Sequence, residues 1–220
     1  MQGAVRRLIG FAALLGIALA AATTPAPAAR QPIDRPPPSP PRVTLISDSV
    51  AEALLWHPDA RDYLGDGLDL RIEGWACRRL VVPGCFAYGG NAPSTLETIR
   101  SLGAELGPVV VVDVGYSDPP DEYAAGFDTV MQALADAKVD RVIWVTLSEH
   151  EDPWVQNNAV IRAGTKRWPQ LVVADWAPVA DAHPDWFVDL AHLNGDGLNG
   201  FARFLRPIVL GLLSDCACSG

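Results

Sequence analysis

Two short runs of apolar, mostly β-branched residues constrain the fold of this chain more than any other feature. Residues 108–114 read PVVVVDV and residues 141–147 read RVIWVTL, with almost no alternation between apolar and polar positions. This pattern is typical of strands that are covered on both faces, as in a parallel sheet packed between helices. The two runs therefore indicate an α/β fold.

The rest of the chain repeats the order of strand and then helix. Further strands are predicted at residues 42–47, 68–73 and 171–174, and helices at 50–56, 94–106, 121–137, 155–168 and 198–213. Such alternation produces a parallel sheet, because each helix carries the chain back to the edge where the next strand begins. We predict a three-layer α/β/α sandwich, flavodoxin-like, with a five-stranded parallel sheet.

Charge and composition exclude two classes of protein. The chain has 17 Lys and Arg against 26 Asp and Glu, a net charge of −9, and no cluster of basic residues. Binding to nucleic acid needs such a cluster to contact phosphates, so no nucleic-acid partner is expected. A hydrophobic fraction of 49% with 20% charged residues also excludes a disordered chain. We expect a monomer with a packed core.

The first 41 residues are predicted to lie outside the folded domain. Arg6 and Arg7 precede an apolar stretch over 8–22, and Ala26-Pro27-Ala28 offers a small-residue cleavage site. This pattern predicts a secretory signal peptide over 1–28, and hence a secreted or cell-envelope protein. The apolar stretch is shorter than the roughly 20 residues that span a bilayer, so membrane attachment is expected only if the signal stays uncleaved. Residues 29–41 are rich in proline and predict an extended linker.

All four cysteines lie in the part of the chain that is predicted to be exported. Cys77 and Cys85 flank a turn that contains Pro83 and Gly84, which predicts a disulfide between them. Cys216 and Cys218 lie in a tail over 215–220, and their pairing stays open. No Cys-x-x-Cys or paired-histidine spacing is present, so no metal site and no cofactor are predicted.

Three residues after predicted strands have the side chains of a nucleophilic site. Ser49 follows the first strand and begins a helix, where the amides favour a developing negative charge, although a helix-capping serine is the simpler alternative. Asp189 precedes His192 by one turn, a spacing that lets a carboxylate orient an imidazole as a general base. Ligands of open α/β sheets bind at the carboxyl ends of the strands, where these segments fall.

With these residues placed, the chain resembles the SGNH (GDSL-like) hydrolase superfamily from residue 42 to about 210. The resemblance is carried by residues 46–50 (ISDSV), 112–118 (VDVGYSD), and 189–193 (DLAHL) followed by 195–197 (GDG). It implies that Ser49 is the nucleophile, His192 the base and Asp189 its orienting carboxylate, within a hydrolase domain over 42–214. It is nearest to exported acyl esterase and acetyltransferase domains of the family.

The resemblance departs from the family pattern at the oxyanion hole. Ser117 stands where the family usually has an asparagine, and Cys77 aligns with the usual glycine of the second block, with Gly74 as the second choice. Both Cys77 and Ser117 are therefore expected to supply donors to the oxyanion.

The resulting expectation is a secreted serine ester hydrolase that acts on a small-molecule or glycan acyl ester, such as an O-acetylated carbohydrate. Two alternatives stay open: an O-acyltransferase with the same triad, and a catalytically weak carbohydrate-binding protein. Trp154 and Trp186 are predicted to line the substrate pocket. His150, beside Glu149, is interpreted as part of a solvated loop rather than a metal ligand.

Overall fold

The structure is a computed structural model, and it describes residues 39–217. The predicted signal peptide, residues 29–38 of the predicted linker, and Cys218 lie outside the described residues. The strands are β1 (Arg42–Ser47), β2 (Asp69–Gly74), β3 (Phe86–Ala87), β4 (Gly90–Asn91), β5 (Val109–Asp113), β6 (Arg141–Val145) and β7 (Leu171–Ala174). Five of them form one parallel sheet in the order β2-β1-β5-β6-β7, and β3 pairs with β4 as a small antiparallel hairpin.

Helices cover both faces of the sheet, so the predicted three-layer α/β/α architecture is confirmed. The helices are α1 (Ser49–Glu52), α2 (Pro58–Gly65), α3 (Thr95–Leu102), α4 (Pro120–Asp136), α5 (Asp152–Gly164), α6 (Ala177–Ala182) and α7 (Gly195–Ala217). Short 3₁₀ segments follow α1 at Ala53–Trp56 and α3 at Gly103–Leu106. No helix within residues 39–217 is long and apolar enough to cross a membrane.

The unbroken apolar runs are explained by two separate cores. In β5, Val109 and Val111 pack on the side of α1, α2 and α7, whereas Val110 and Val112 pack on the side of α3, α4 and α5. Successive residues of a strand point to opposite faces, so a strand between two helical layers is apolar on both faces, as Val109–Val112 are. All five residues of β5 are buried.

The sheet order places a switch point between β1 and β5. From β1 the chain moves outward to the edge strand β2, and it then crosses back to β5 on the other side of β1. The carboxyl ends of these two strands, paired at Ser47 and Asp113, mark the crevice where α/β sheets bind ligands.

Three elements were absent from the sequence prediction: α2, α6 and the β3–β4 hairpin. The segment of α2 reads PDARDYLG, which is polar apart from Ala60 and Leu64, the two side chains that it buries. Pro58 occupies the first turn of α2, where proline is well tolerated, directly after the 3₁₀ segment that ends at Trp56. Strand β6 ends at Val145 rather than residue 147, because its neighbour β7 ends at Ala174, the partner of Val145.

Candidate active site

Ser49 is the first residue of α1, directly after β1. The residue that caps this helix is Asp48, whose Oδ1 accepts the backbone N–H of Val50 at 3.1 Å. The capping alternative for Ser49 is therefore wrong, and its hydroxyl is available for another contact. Ser49 Oγ lies 2.8 Å from Nε2 of His192.

His192 is in turn hydrogen-bonded to Asp189. Nδ1 of His192 lies 2.7 Å from Oδ2 of Asp189, while Oδ1 of Asp189 accepts the backbone N–H groups of His192 at 2.7 Å and Ala191 at 2.8 Å. These hydrogen bonds, chiefly the one from the His192 backbone, lower the pKa of Asp189 to about 2. Asp189 is thus ionised at any neutral pH and fixes the imidazole with Nε2 facing Ser49.

The turn that carries Asp189 and His192 is exposed and is held from outside by two side chains. The Asp189 side chain is 54% exposed and that of His192 is 46% exposed. The carbonyl of Leu190, between them, lies 3.2 Å from Ser148 Oγ and 2.8 Å from Nδ1 of His150. His150 therefore contacts the turn instead of facing only solvent. Its position after β6 places it at the carboxyl edge of the sheet, and this is the only feature of the sequence that indicates a place near the site.

A buried carboxylate ties the turn that carries Ser49 to the end of β5. Oδ2 of Asp48 accepts the backbone N–H groups of Gly115 and Tyr116, each at 3.3 Å. Burial raises the pKa of Asp48 to about 6. Burial, together with the nearby Asp48, also raises the pKa of Asp113 well above its usual range. The Ser47 hydroxyl links Asp113 to α1, since it lies 3.3 Å from Asp113 Oδ2 and accepts the N–H of Ala51 at 3.1 Å.

The segments that carry Cys77 and Ser117 lie side by side. Asp118, directly after Ser117, accepts the backbone N–H of Leu80 at 3.1 Å. Cys77 has φ +56°, the left-handed conformation that glycine adopts most readily, which fits its alignment with a family glycine. Ser117 is exposed.

Gly74 fits a packing role better than a role as an oxyanion donor. It is the last residue of β2, and a Cβ at this position would lie 2.7 Å from Cα of Glu52 on α1. Glycine therefore allows α1 to approach the end of β2. Cys77 remains the candidate of the second block.

The predicted disulfide joins Cys77 and Cys85. Beside it, a buried arginine, Arg78, donates from Nε to the carbonyl of Ser47 at 3.1 Å and from Nη1 to the carbonyl of Pro93 at 3.0 Å. Its Nη1 also contacts Thr98 Oγ1. Arg78 thus anchors this segment to the end of β1. The sequence contained no signal for this role, because Arg78 is one of two adjacent arginines.

The two tryptophans predicted to line the pocket differ in their surroundings. Trp154 lies edge-on to Tyr116 at 4.9 Å between ring centroids and donates from Nε1 to the Tyr116 carbonyl at 3.3 Å. Trp186 stacks on His183 at 3.8 Å and packs against Trp176 and the core. We therefore retain Trp154 as a neighbour of the site and assign Trp186 to packing.

No group of three or more His, Cys, Asp or Glu within the described part of the chain is arranged to hold a metal ion.

Comparisons with known proteins find structural likeness only. No family model and no curated protein matches the chain. Among solved structures, the Streptococcus pneumoniae peptidoglycan O-acetyltransferase A C-terminal catalytic domain is similar at a TM-score of 0.61 and 19% identity, over 79% of this chain and 95% of that one. A putative arylesterase from Agrobacterium tumefaciens str. C58 is similar at a TM-score of 0.60 and 15% identity, over 78% and 99%. A carbohydrate acetylesterase family member from Sinorhizobium meliloti is similar at a TM-score of 0.54 and 14% identity, over 78% and 99%.

Proposed function

The chain has the SGNH hydrolase-like fold, and on that premise we propose that it is a serine ester hydrolase with Ser49 as its nucleophile. The observation that carries the proposal is the unbroken chain of contacts from Ser49 Oγ through the imidazole of His192 to the carboxylate of Asp189, at 2.8 and 2.7 Å. A nucleophile in contact with a base that is itself oriented by a carboxylate is the arrangement that acyl transfer to serine requires.

The reaction follows from this geometry in two halves. Ser49 Oγ attacks the ester carbonyl while its proton passes to Nε2 of His192, and the alcohol then leaves with that proton. The acyl group is now bonded to Ser49. A water molecule gives its proton to His192 and attacks the acyl carbon, after which the acid leaves and Ser49 recovers its proton. Asp189, with its pKa near 2, stays ionised and stabilises the imidazolium in both halves.

The negative charge on the carbonyl oxygen would be stabilised near the start of α1. Ser49 is the first residue of this helix, so its backbone N–H has no acceptor within the helix. We assign the other donors to the backbone N–H of Cys77 and the hydroxyl of Ser117. Serine has a shorter side chain than asparagine, and loss of one oxyanion donor typically lowers the rate by about 10²–10³.

We further propose that the substrate is an acyl ester on a glycan or a small molecule and that the protein acts outside the cytoplasm. The acidic charge favours a neutral substrate over a polyanion. The structural neighbours include a peptidoglycan O-acetyltransferase domain and a carbohydrate acetylesterase family member, which supports an O-acetylated carbohydrate. The first of these also favours acyl transfer as a second candidate, in which a sugar hydroxyl replaces water.

A fluorophosphonate probe tests the nucleophile directly. We expect the wild-type protein to be labelled on Ser49 and to hydrolyse p-nitrophenyl acetate. Ser49→Ala and His192→Ala should lose labelling and at least 10³-fold in kcat/KM. Ser214→Ala, at an exposed serine on α7, is the matched control and should behave as wild type. Undiminished labelling or turnover in Ser49→Ala would refute the assignment, as would a folded wild-type protein that does not react. An added oligosaccharide acceptor that captures the acyl group would identify transfer.

A further inference from the structure

An exposed cluster of aromatic side chains lies beside the helix that begins with Ser49. Trp56, Trp75 and Tyr88 form this aromatic cluster, with ring centroids 6.4 Å apart for Trp56 and Tyr88 and 5.9 Å apart for Trp75 and Tyr88. Trp56 is 64% exposed and Tyr88 is 65% exposed. Large aromatic rings held in contact with each other and open to solvent are typical of binding surfaces.

The aromatic cluster is continuous with the candidate active site. Glu52, three residues after Ser49 in α1, lies close to the Tyr88 hydroxyl, and burial together with the nearby Glu52 carboxylate raises the pKa of Tyr88. Trp75 follows β2, and its backbone N–H donates to the carbonyl of Ser47 at 3.2 Å. The rings are thus attached at two points to the strand and the helix that hold the nucleophile.

Polar groups also lie among the rings of the aromatic cluster. Nε1 of Trp75 is buried and has no hydrogen-bond partner in the described part of the chain. A buried indole N–H without an acceptor destabilises a protein unless something else accepts from it. Glu52 is almost fully buried, so its carboxylate keeps a negative charge close to the rings without facing solvent.

We propose that the aromatic cluster binds a sugar ring of a neutral glycan whose acyl ester reaches Ser49. A sugar presents a face of C–H groups that packs on an aromatic ring, and hydroxyls at its edge that form hydrogen bonds with groups such as the exposed Tyr88 hydroxyl. An alkyl chain would leave the polar groups unused, and an anionic polymer would meet the carboxylate of Glu52. The proposal rests on the ester hydrolase function.

The segment that carries two of the rings is held rigidly before any ligand binds. The Cys77–Cys85 disulfide closes its middle, and the N–H of Gly84 donates to the carbonyl of Ala92 at 2.8 Å while the N–H of Ala92 donates to the carbonyl of Cys85 at 3.0 Å. A surface ordered in advance loses little conformational entropy on binding, which favours a specific subsite.

The test separates sugar binding from ester hydrolysis. Tryptophan fluorescence is titrated with unacylated β-1,4-linked hexasaccharides, one of N-acetylglucosamine and one of xylose, in wild type, Trp56→Ala and Tyr88→Ala. Tyr63→Ala, at an exposed aromatic residue on α2, is the matched control. We expect at least one hexasaccharide to bind the wild-type and control proteins, and its Kd to rise at least tenfold in the two cluster variants.

Kinetics then place the subsite in the reaction. For the acetylated form of the bound hexasaccharide, the ratio of its kcat/KM to that of p-nitrophenyl acetate should fall at least tenfold in Trp56→Ala and Tyr88→Ala. Absence of binding by both hexasaccharides, or equal Kd values in all variants, would overturn the subsite. A loss confined to p-nitrophenyl esters of long acyl chains would overturn it in favour of an acyl pocket. Failure of the ester hydrolase proposal would appear differently, as sugar binding by a protein without turnover.

Discussion

His150 provides the sharpest test of how the base is positioned. Its Nδ1 lies 2.8 Å from the carbonyl of Leu190, in the turn that carries both Asp189 and His192. The side chains of Asp189 and His192 are about half exposed, so packing alone does not hold them in place. We predict that His150→Ala lowers kcat while leaving KM nearly unchanged, because His150 is a positioning residue that acts through the turn.

The size of the effect follows from the contacts that remain. Without His150, the Leu190 carbonyl retains Ser148 Oγ at the longer distance of 3.2 Å. The net loss of one hydrogen bond is about 1 kcal/mol of unfolding free energy. A displacement of about 1 Å at a catalytic group lowers rates by roughly 10²-fold, so a partial displacement should lower kcat by about 10-fold to 50-fold.

Two further variants separate the hydrogen bond from packing of the imidazole ring. His150→Asn places an amide N–H close to where Nδ1 lies and should recover kcat to within about threefold of wild type. His150→Phe keeps a ring against Phe187, which the imidazole contacts edge-on at 4.9 Å, but has no donor and should resemble the alanine variant. Steady-state hydrolysis of p-nitrophenyl acetate, with urea unfolding of each variant, measures both quantities.

Two results would refute the proposed role of His150 in positioning the turn. If His150→Asn were as slow as His150→Ala, or if His150→Phe were as fast as wild type, the hydrogen bond to Leu190 would not be what aligns the turn. A rise in KM with unchanged kcat would instead assign His150 to substrate binding.

Three other predictions concern the carboxylates and the disulfide. Asp189→Asn should lower kcat/KM for p-nitrophenyl acetate by about 10³–10⁴, because the amide fails to stabilise the imidazolium, while unfolding in urea changes little; a loss below tenfold would contradict this. The raised pKa of Asp48, about 6, means that the folded state retains a proton that the unfolded state loses near pH 3.8, so this stabilisation is lost as pH rises through 6. The unfolding free energy should therefore be larger at pH 5 than at pH 7.5 by at least about 1 kcal/mol, and Asp113→Asn, which removes a second buried carboxyl with a raised pKa, should make that difference smaller; a protein more stable at pH 7.5 would refute the assignment. Cys77→Ser combined with Cys85→Ser opens a loop with a sequence separation of 8 and should lower the unfolding free energy by about 2–3 kcal/mol, as measured by urea unfolding; an unchanged midpoint would contradict the role of the disulfide.

The parts of the fold that the sequence predicted are those with a local pattern. Strands β5 and β6 are buried on both faces, so their apolar runs are unmistakable, and helix α4 has a regular apolar stripe. Helix α2 escaped prediction because only Ala60 and Leu64 of it are buried. The β3–β4 hairpin is two residues long in each strand and has no periodicity to detect.

The same division applies to the candidate site. The sequence predicts the contact of Ser49, His192 and Asp189, because Ser49 follows a strand and Asp189 precedes His192 by one turn. Arg78 and His150 donate to the backbone carbonyls of Ser47 and Leu190, which are 31 and 40 residues away in the sequence. A backbone carbonyl is present at every residue, so the sequence does not indicate which one is the acceptor. Contacts of this kind depend on how the loops pack above the sheet, and a single sequence contains no measure of that packing.

The two halves of the candidate site, one with Ser49 and the other with Asp189 and His192, differ in burial, and this difference affects how the protein can evolve. The half that carries Ser49 is tied to the interior through the buried side chains of Asp48 and Arg78, so we expect substitutions there to destabilise the whole protein. The half that carries Asp189 and His192 lies on an exposed turn, where we expect substitution of either residue to remove catalysis and leave the core intact. A single substitution on the exposed turn would therefore give a descendant that is folded but inactive. Such a descendant would still have the proposed sugar-binding surface beside Ser49.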